Sequence, residues 1–242
     1  MTALRPFFSY FGGKWRNSAK LYPKPIHNTL VEPFAGSAGY ALRYPAKRVI
    51  LCDLDPIICG VWRYLISVSA DEILSLPDVT DTIDDLDVGQ EAKWLIGFWL
   101  NRATTHPCKS PSQWMRAGYA PTSFWGPRVR ATIASQLHAI RHWEIHQCSY
   151  QHAPDVQATW FVDPPYQVAG TRYRFGSKGM YFGALARWCR SRQGQTIVCE
   201  ASGASWLPFQ ALAHTKSARP RRPSKEAVWL HHSPQQLSLF TH

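Results

Sequence analysis

The stretch Asn28-Thr29-Leu30-Val31-Glu32-Pro33-Phe34-Ala35-Gly36-Ser37-Ala38-Gly39 passes from an apolar run into a turn of small residues. Its first five residues read as a strand, Pro33 to Gly39 as the turn, and Tyr40 to Tyr44 as the opening of a helix. Arg48 to Cys52 reads as a second strand, and Pro56 to Val68 as a helix with proline in its first turn. The resulting β-turn-α-β-α order is half of a doubly wound α/β sheet. Small residues at such a turn let backbone approach a ligand closely. The glycine spacing G-x-G-x-x-G of dinucleotide-binding turns is absent, which excludes the NAD-dependent oxidoreductases. Asp53 follows the second strand, where an acidic side chain about 20 residues beyond such a turn accepts hydrogen bonds from ribose hydroxyls. These residues favour a nucleoside-containing cofactor, with a tight turn followed by an N-cap aspartate as the plain structural reading.

Farther along, Thr159-Trp160-Phe161-Val162 reads as a short buried strand closed by Asp163-Pro164-Pro165-Tyr166. Open α/β sheets hold their ligands at the carboxyl ends of strands. There a carboxylate and a rigid carbonyl can accept two N–H bonds from a planar heterocycle that bears an amine, while the tyrosine ring stacks on it. Strand signals also occur at Trp143 to Cys148 and Thr196 to Cys199, and helical ones at about 91–103, at 128–140 and near Phe182 to Arg192. The α/β core is therefore expected to be interrupted by a mostly helical insertion. The division reads as residues 1–90 and 151–230 for the core, 91–150 for the insertion and 231–242 for a tail.

The 242 residues carry a formal net charge of +11, unevenly. Residues 1–91 hold 9 Lys and Arg against 11 Asp and Glu, whereas residues 92–242 hold 18 against 5. The second region is the electrostatic footprint of a polyanion partner. Arg116, Arg128 and Arg130, beside Trp114 and Trp125, combine cations for phosphates with aromatic rings that can stack on or wedge between bases. Arg172, Arg174 and Lys178 lie in a Gly- and Arg-rich loop, Ala169 to Tyr181, able to close over the site or grip phosphate. The acidic run from Asp71 to Glu91 reads as a solvated connector without calcium-loop spacing.

Six cysteines form no C-x-x-C pair and no zinc-like grouping, so no metal is expected. There is no signal-peptide core at the N-terminus and no apolar stretch of the ~20 residues a membrane span needs. A soluble, cytoplasmic, monomeric protein is the expectation. Gly12-Gly13-Lys14 lacks P-loop spacing, and Cys108 in His106-Pro107-Cys108 sits in a basic loop, away from any core strand that would support a covalent nucleophile.

Phe11-Gly12-Gly13-Lys14, Glu32 to Gly39, Asp53 and Asp163-Pro164-Pro165-Tyr166, in that order, make the chain resemble the Dam-type, alpha-class DNA adenine-N6 methyltransferases. The resemblance implies a Rossmann-like methyltransferase sheet with a DNA-recognition insertion, and transfer of a methyl group from S-adenosylmethionine to a flipped adenine in double-stranded DNA. It assigns Asp163, Pro164 and Tyr166 to catalysis. It gives the cofactor Tyr10, Phe11, Gly12 and Lys14, the turn residues Glu32, Pro33, Phe34, Ala35, Gly36 and Ser37, and Asp53 and Asp163. Cytosine-N4 or RNA adenine methylation shares the same amine chemistry, and a non-catalytic DNA-binding module with a methyltransferase shell is the remaining alternative. The family's later strand often ends Ser-Asn, whereas this one ends Cys199-Glu200, so Glu200 receives no role. Gln236-Leu237-Ser238-Leu239-Phe240 resembles the pentapeptide by which bacterial proteins dock on the replication sliding clamp, with Gln236, Leu237, Leu239 and Phe240 as anchors. Together these imply a bacterial or phage-infected cytoplasm, at the nucleoid.

Overall fold

A computed structural model describes residues 3–15, 21–119, 123–168, 170–212 and 226–233. Its centre is a seven-stranded sheet in the order β3-β2-β1-β4-β5-β7-β6. The strands are β1 (Thr29–Glu32), β2 (Arg48–Asp53), β3 (Glu144–Gln147), β4 (Ala158–Val162), β5 (Gly194–Ala201), β6 (Gln210–Ala211) and β7 (Glu226–His232). The first five pair in parallel, and β7 runs antiparallel to β5.

Alternation along these strands feeds two cores. Leu30, Leu51, Phe161 and Ile197 face one side of the sheet, while Val31, Ile50, Trp160 and Val198 face the other. A period of two places successive side chains on opposite faces, so strands buried on both faces read as continuous apolar runs. The first face is covered by α1 (Pro56–Ser67), α3 (Gln90–Gly97) and α5 (Pro127–Gln136). The second is covered by α6 (Phe182–Arg190) through Leu185, Ala186 and Cys189.

Helix α1 starts where the sequence indicates. Asp55 is its N-cap and accepts from Ile57 N at 2.9 Å, and Pro56 occupies the first turn. Other expectations change. The helix expected after the first turn is a single 3-10 turn, Ala41–Arg43; Pro45 disfavours helical backbone at Tyr44. The helix expected to reach residue 103 stops at Gly97, whose carbonyl accepts from Cys108 N at 3.0 Å as the chain crosses it. The acidic connector contains α2 (Ala70–Ser75), capped by Ser69 and in contact with α5. Within the span assigned to the insertion, β3 is an edge strand of the main sheet, and the helices pack on the main core. Among the described residues no helix is long and apolar enough to cross a membrane.

Trp160 anchors the second core. It is fully buried, its Nε1 donates to Gln193 O at 3.0 Å, and its ring meets Trp188 edge-on at 5.5 Å. Trp160→Ala should cost about 3–5 kcal/mol through the cavity it leaves. In thermal denaturation followed by circular dichroism, that loss should lower the melting temperature on the order of 10 °C.

Candidate active site

The strand order reverses between β1 and β4, so their carboxyl ends open a crevice in which no crossover helix intrudes. A cavity of about 450 Å³ lies there. Its walls include segments distant in sequence: Tyr10 to Lys14, Glu32 to Ser37 with Asp53, and Asp163 with Pro165.

The turn after β1 is built by internal hydrogen bonds. Ala35 N donates to Cys52 O at 2.9 Å, Gly36 N to Asp53 Oδ2 at 3.0 Å, and Trp62 Nε1 to Gly36 O at 2.8 Å. Gly36 has a φ of +44°, a region open to glycine at little cost. Gly39 serves the protein itself: a methyl group there would lie 2.7 Å from Trp15 N, so its absence lets the N-terminal arm lie on the turn. Glu32 is 2 % exposed, and its Oε1 accepts from Ala41 N at 2.6 Å. Its carboxylate thus holds the far end of the turn in place. Burial pushes the Glu32 carboxyl up to about 8.

Asp53 accepts Gly36 N through Oδ2 and Asp55 N, at 2.9 Å, through Oδ1. Burial raises its carboxyl to about 6 against the pull of these backbone donors. A carboxylate has about four lone-pair sites, so fixing two by backbone leaves others for hydroxyl donors.

The N-terminal arm and the end of β4 meet in an ion pair: Lys14 Nζ lies 2.9 Å from Asp163 Oδ1, with 7 % and 19 % of the two side chains exposed. Lys14 Nζ also donates to Gly12 O at 3.0 Å. Burial acts to lower the Lys14 ammonium, but the carboxylates of Asp163 and Glu226 outweigh it and hold it above its usual range. Burial raises the Asp163 carboxyl to about 6 against the attraction of Lys14.

Pro164 is buried, and neither it nor Tyr166 is part of the cavity lining. The Tyr166 hydroxyl donates to Glu226 Oε2 at 2.6 Å, and the Lys14 ammonium sits 4.8 Å from its ring centroid. Tyr10 and Phe11 line the cavity at Tyr173, their ring centroids each 6.0 Å from its ring. Phe34 stacks on Tyr150 at 5.5 Å.

Several lining residues went unread in the sequence. Ser149, Tyr150 and Gln151 follow β3, which ends beside Asp53 with Cys148 N on Asp53 O at 3.0 Å; the available signal was their place after a parallel strand. Tyr173 to Gly176 and Gly179 to Tyr181, from the loop read in the sequence as able to close over the site, form the outer wall. Glu200 is fully buried and accepts Gln167 N at 3.1 Å and Trp206 Nε1 at 3.0 Å, fixing the residue after Tyr166.

The basic residues divide. Arg116, Arg128, Arg172, Arg174 and Lys178 are exposed. Arg172 lies over the Phe11 ring, and Arg174 Nη1 is 3.5 Å from Asp55 Oδ1 at the cavity rim. Arg130 departs from the expectation of a phosphate contact: its guanidinium is 2.6 Å from Asp78 and lies over Trp125, tying α5 to the acidic segment. Trp125 is buried, with Nε1 on Pro77 O. Trp114 and Tyr119 are exposed and in edge contact at 5.6 Å. Gln236, Leu237, Leu239 and Phe240 lie outside the described residues.

A mostly parallel sheet with its cavity at the switch point is a Rossmann-like fold of the methyltransferase kind. Residues 10–92 match the family model of the D12 class N6 adenine-specific DNA methyltransferases. This match agrees, over that stretch, with the resemblance drawn from the motifs. A solved structure titled a conserved hypothetical protein of Streptococcus pyogenes superposes with a TM-score of 0.36 at 11 % identity, over 85 % of this chain and 90 % of that one. No curated protein matches the chain.

Glu32 gives the site a measurable pH signature. A carboxyl whose pKa rises on folding favours the folded state while protonated and loses that contribution as pH climbs through the folded value. Glu32→Gln is free of this penalty, so its melting temperature minus that of wild type should grow as pH is raised from about 6 to about 8. A constant difference across that window would mean the carboxyl titrates elsewhere.

Proposed function

We propose that this protein transfers a methyl group from S-adenosylmethionine to the exocyclic amine of an adenine flipped out of double-stranded DNA. The observation that carries this reading is the half-buried Asp163, paired with Lys14 at the end of β4 and opening on the switch-point cavity. The cavity's residues fit the cofactor. Asp53 keeps acceptor capacity for ribose hydroxyls, Phe34 and Tyr150 offer aromatic surface beside it, and the volume falls in the usual range for a nucleoside-sized ligand. The bound cofactor supplies the methyl group as an electrophile on a sulfonium.

The residues perform the remainder. Adenine's amine lone pair is delocalised into the ring, and the nitrogen becomes a nucleophile as it pyramidalises. Two acceptors in fixed geometry, Asp163 and the Pro164 carbonyl, favour the pyramidal state over the planar one. Lys14 keeps Asp163 ionised despite its burial, so that the carboxylate accepts rather than donates. The amine proton leaves to Asp163 or to water. An amine inside a duplex cannot adopt this geometry, so the base leaves the stack and Tyr166 supplies its aromatic wall.

Exposed Arg116, Arg128, Arg172, Arg174 and Lys178 serve the phosphates, and Trp114 with Tyr119 offers rings to the bases. Residues 91–150, apart from the edge strand β3, act as the recognition insertion. We further propose that Gln236, Leu237, Leu239 and Phe240 dock the enzyme on a sliding clamp.

The direct test incubates the protein with S-adenosylmethionine and unmethylated genomic DNA, followed by nucleoside mass spectrometry. N6-methyladenine is expected; N4-methylcytosine, or methylation confined to RNA, would overturn the substrate assignment. Asp163→Ala should abolish the product while DNA binding persists, and a retained rate would remove Asp163 from the mechanism. Replacing Arg172 and Arg174 together by alanine should weaken all DNA sequences alike and reduce the slope of log affinity against log salt by about 1 per arginine. A change in sequence preference would instead make them base readers.

A further inference from the structure

Acidic side chains are scarce beyond residue 91, with five against 18 Lys and Arg. Three of those five, Asp163, Glu200 and Glu226, gather at the same end of neighbouring strands β4, β5 and β7. Asp163 has its role and Glu200 its backbone partners, which leaves Glu226. Because β7 runs opposite to β5, its first residue pairs with Ala201 at the last position of β5. The antiparallel strand thereby delivers a carboxylate to the catalytic end of the parallel sheet.

We infer that Glu226 is a positioning residue for methyl transfer, acting through the Tyr166 hydroxyl. This rests on the adenine methyltransferase reading above. Glu226 Oε2 accepts from Tyr166 Oη at 2.6 Å and from Tyr22 Oη at 3.1 Å. Tyr22 is 4 % exposed and packs edge-on against Phe161 at 5.2 Å, and Phe161 stacks on Tyr40 at 4.2 Å. The carboxylate is therefore referenced to the rigid core on one side and grips the catalytic tyrosine on the other. A tyrosine ring turns about two side-chain bonds, and fixing its hydroxyl fixes both. Lys14, against the face of the same ring, is shared between Tyr166 and Asp163. Losing the hydroxyl's acceptor frees the aromatic wall and one neighbour of the ammonium together, and a misplacement of this kind lowers the rate of the chemical step more than it lowers affinity.

The test compares wild type, Glu226→Ala, Glu226→Gln, Tyr166→Phe and the Glu226→Ala/Tyr166→Phe double variant. Single-turnover methylation of saturating DNA is measured together with S-adenosylhomocysteine affinity and thermal melting. Glu226→Ala and Tyr166→Phe should each slow methyl transfer about tenfold or more, the scale of a lost hydrogen bond to a charged group. Cofactor affinity should stay within about twofold, and the double variant should be no slower than the slower single variant. Glu226→Gln, whose amide oxygen still accepts the hydroxyl, should recover most of the rate. Wild-type rates in Glu226→Ala or in Tyr166→Phe, or losses that multiply in the double variant, would overturn the inference. Should Glu226→Ala fail to fold, Tyr166→Phe decides alone, since it removes only one oxygen. If wild type methylates adenine and these variants match its rate, this inference fails by itself; if wild type methylates no adenine, the functional reading fails and takes the inference with it.

Discussion

One buried ion pair organises the molecule's working end. Lys14 comes from an arm that precedes the sheet, and Asp163 ends a strand laid down nearly 150 residues later. Removing either charge from water is expensive, and each is tolerated because the other is within 3 Å. The pairing imposes conditions on its surroundings. The arm must lie flat on the turn after β1, which Gly39 permits, and β4 must stand beside β1, which the sheet order provides. The cavity is the space left between these constraints, so its shape is set by long-range contacts rather than by any single loop.

The turn itself illustrates how a binding surface is made rigid before a ligand arrives. Asp53 and Glu32 each bind backbone N–H groups of the segment that follows β1, one near its start and one at its end. Both carboxyls are raised by burial, a cost the fold offsets by using them as fixed acceptors. Trp62 from α1 donates to the carbonyl of Gly36, the residue whose N–H Asp53 accepts. A surface built this way loses little conformational freedom on binding.

Much of this was legible in the sequence, and the exceptions have physical causes. β1, β2, α1 and β4 are strongly patterned and locally capped, and their periodicity alone located them. The cavity followed from the rule that parallel strands carry ligands at their carboxyl ends. Sequence could not show Arg130 pairing with Asp78, because two exposed-looking charges 52 positions apart carry no sign of contact. Nor did it show β7, whose His231, His232 and exposed Leu230 blur the alternation of an edge strand. Tyr166 was legible as a candidate, but it lies outside the cavity lining, and the direction of its hydroxyl depends on a strand that the sequence did not reveal. Local chemistry is written locally, and which charges find one another is written in the topology.

The reversed strand has a consequence for the order of synthesis. β1 to β5 and their helices emerge from the ribosome before β7, and until it arrives β5 presents an open backbone edge while Tyr166 and Tyr22 lack their shared acceptor. A nascent chain able to assemble the turn after β1 is therefore still without the acceptor that Tyr166 and Tyr22 share. On the function proposed above, competence to methylate DNA arrives late in translation, and a prematurely ended chain that keeps the motifs from Phe11 to Tyr166 lacks the carboxylate that holds the Tyr166 hydroxyl.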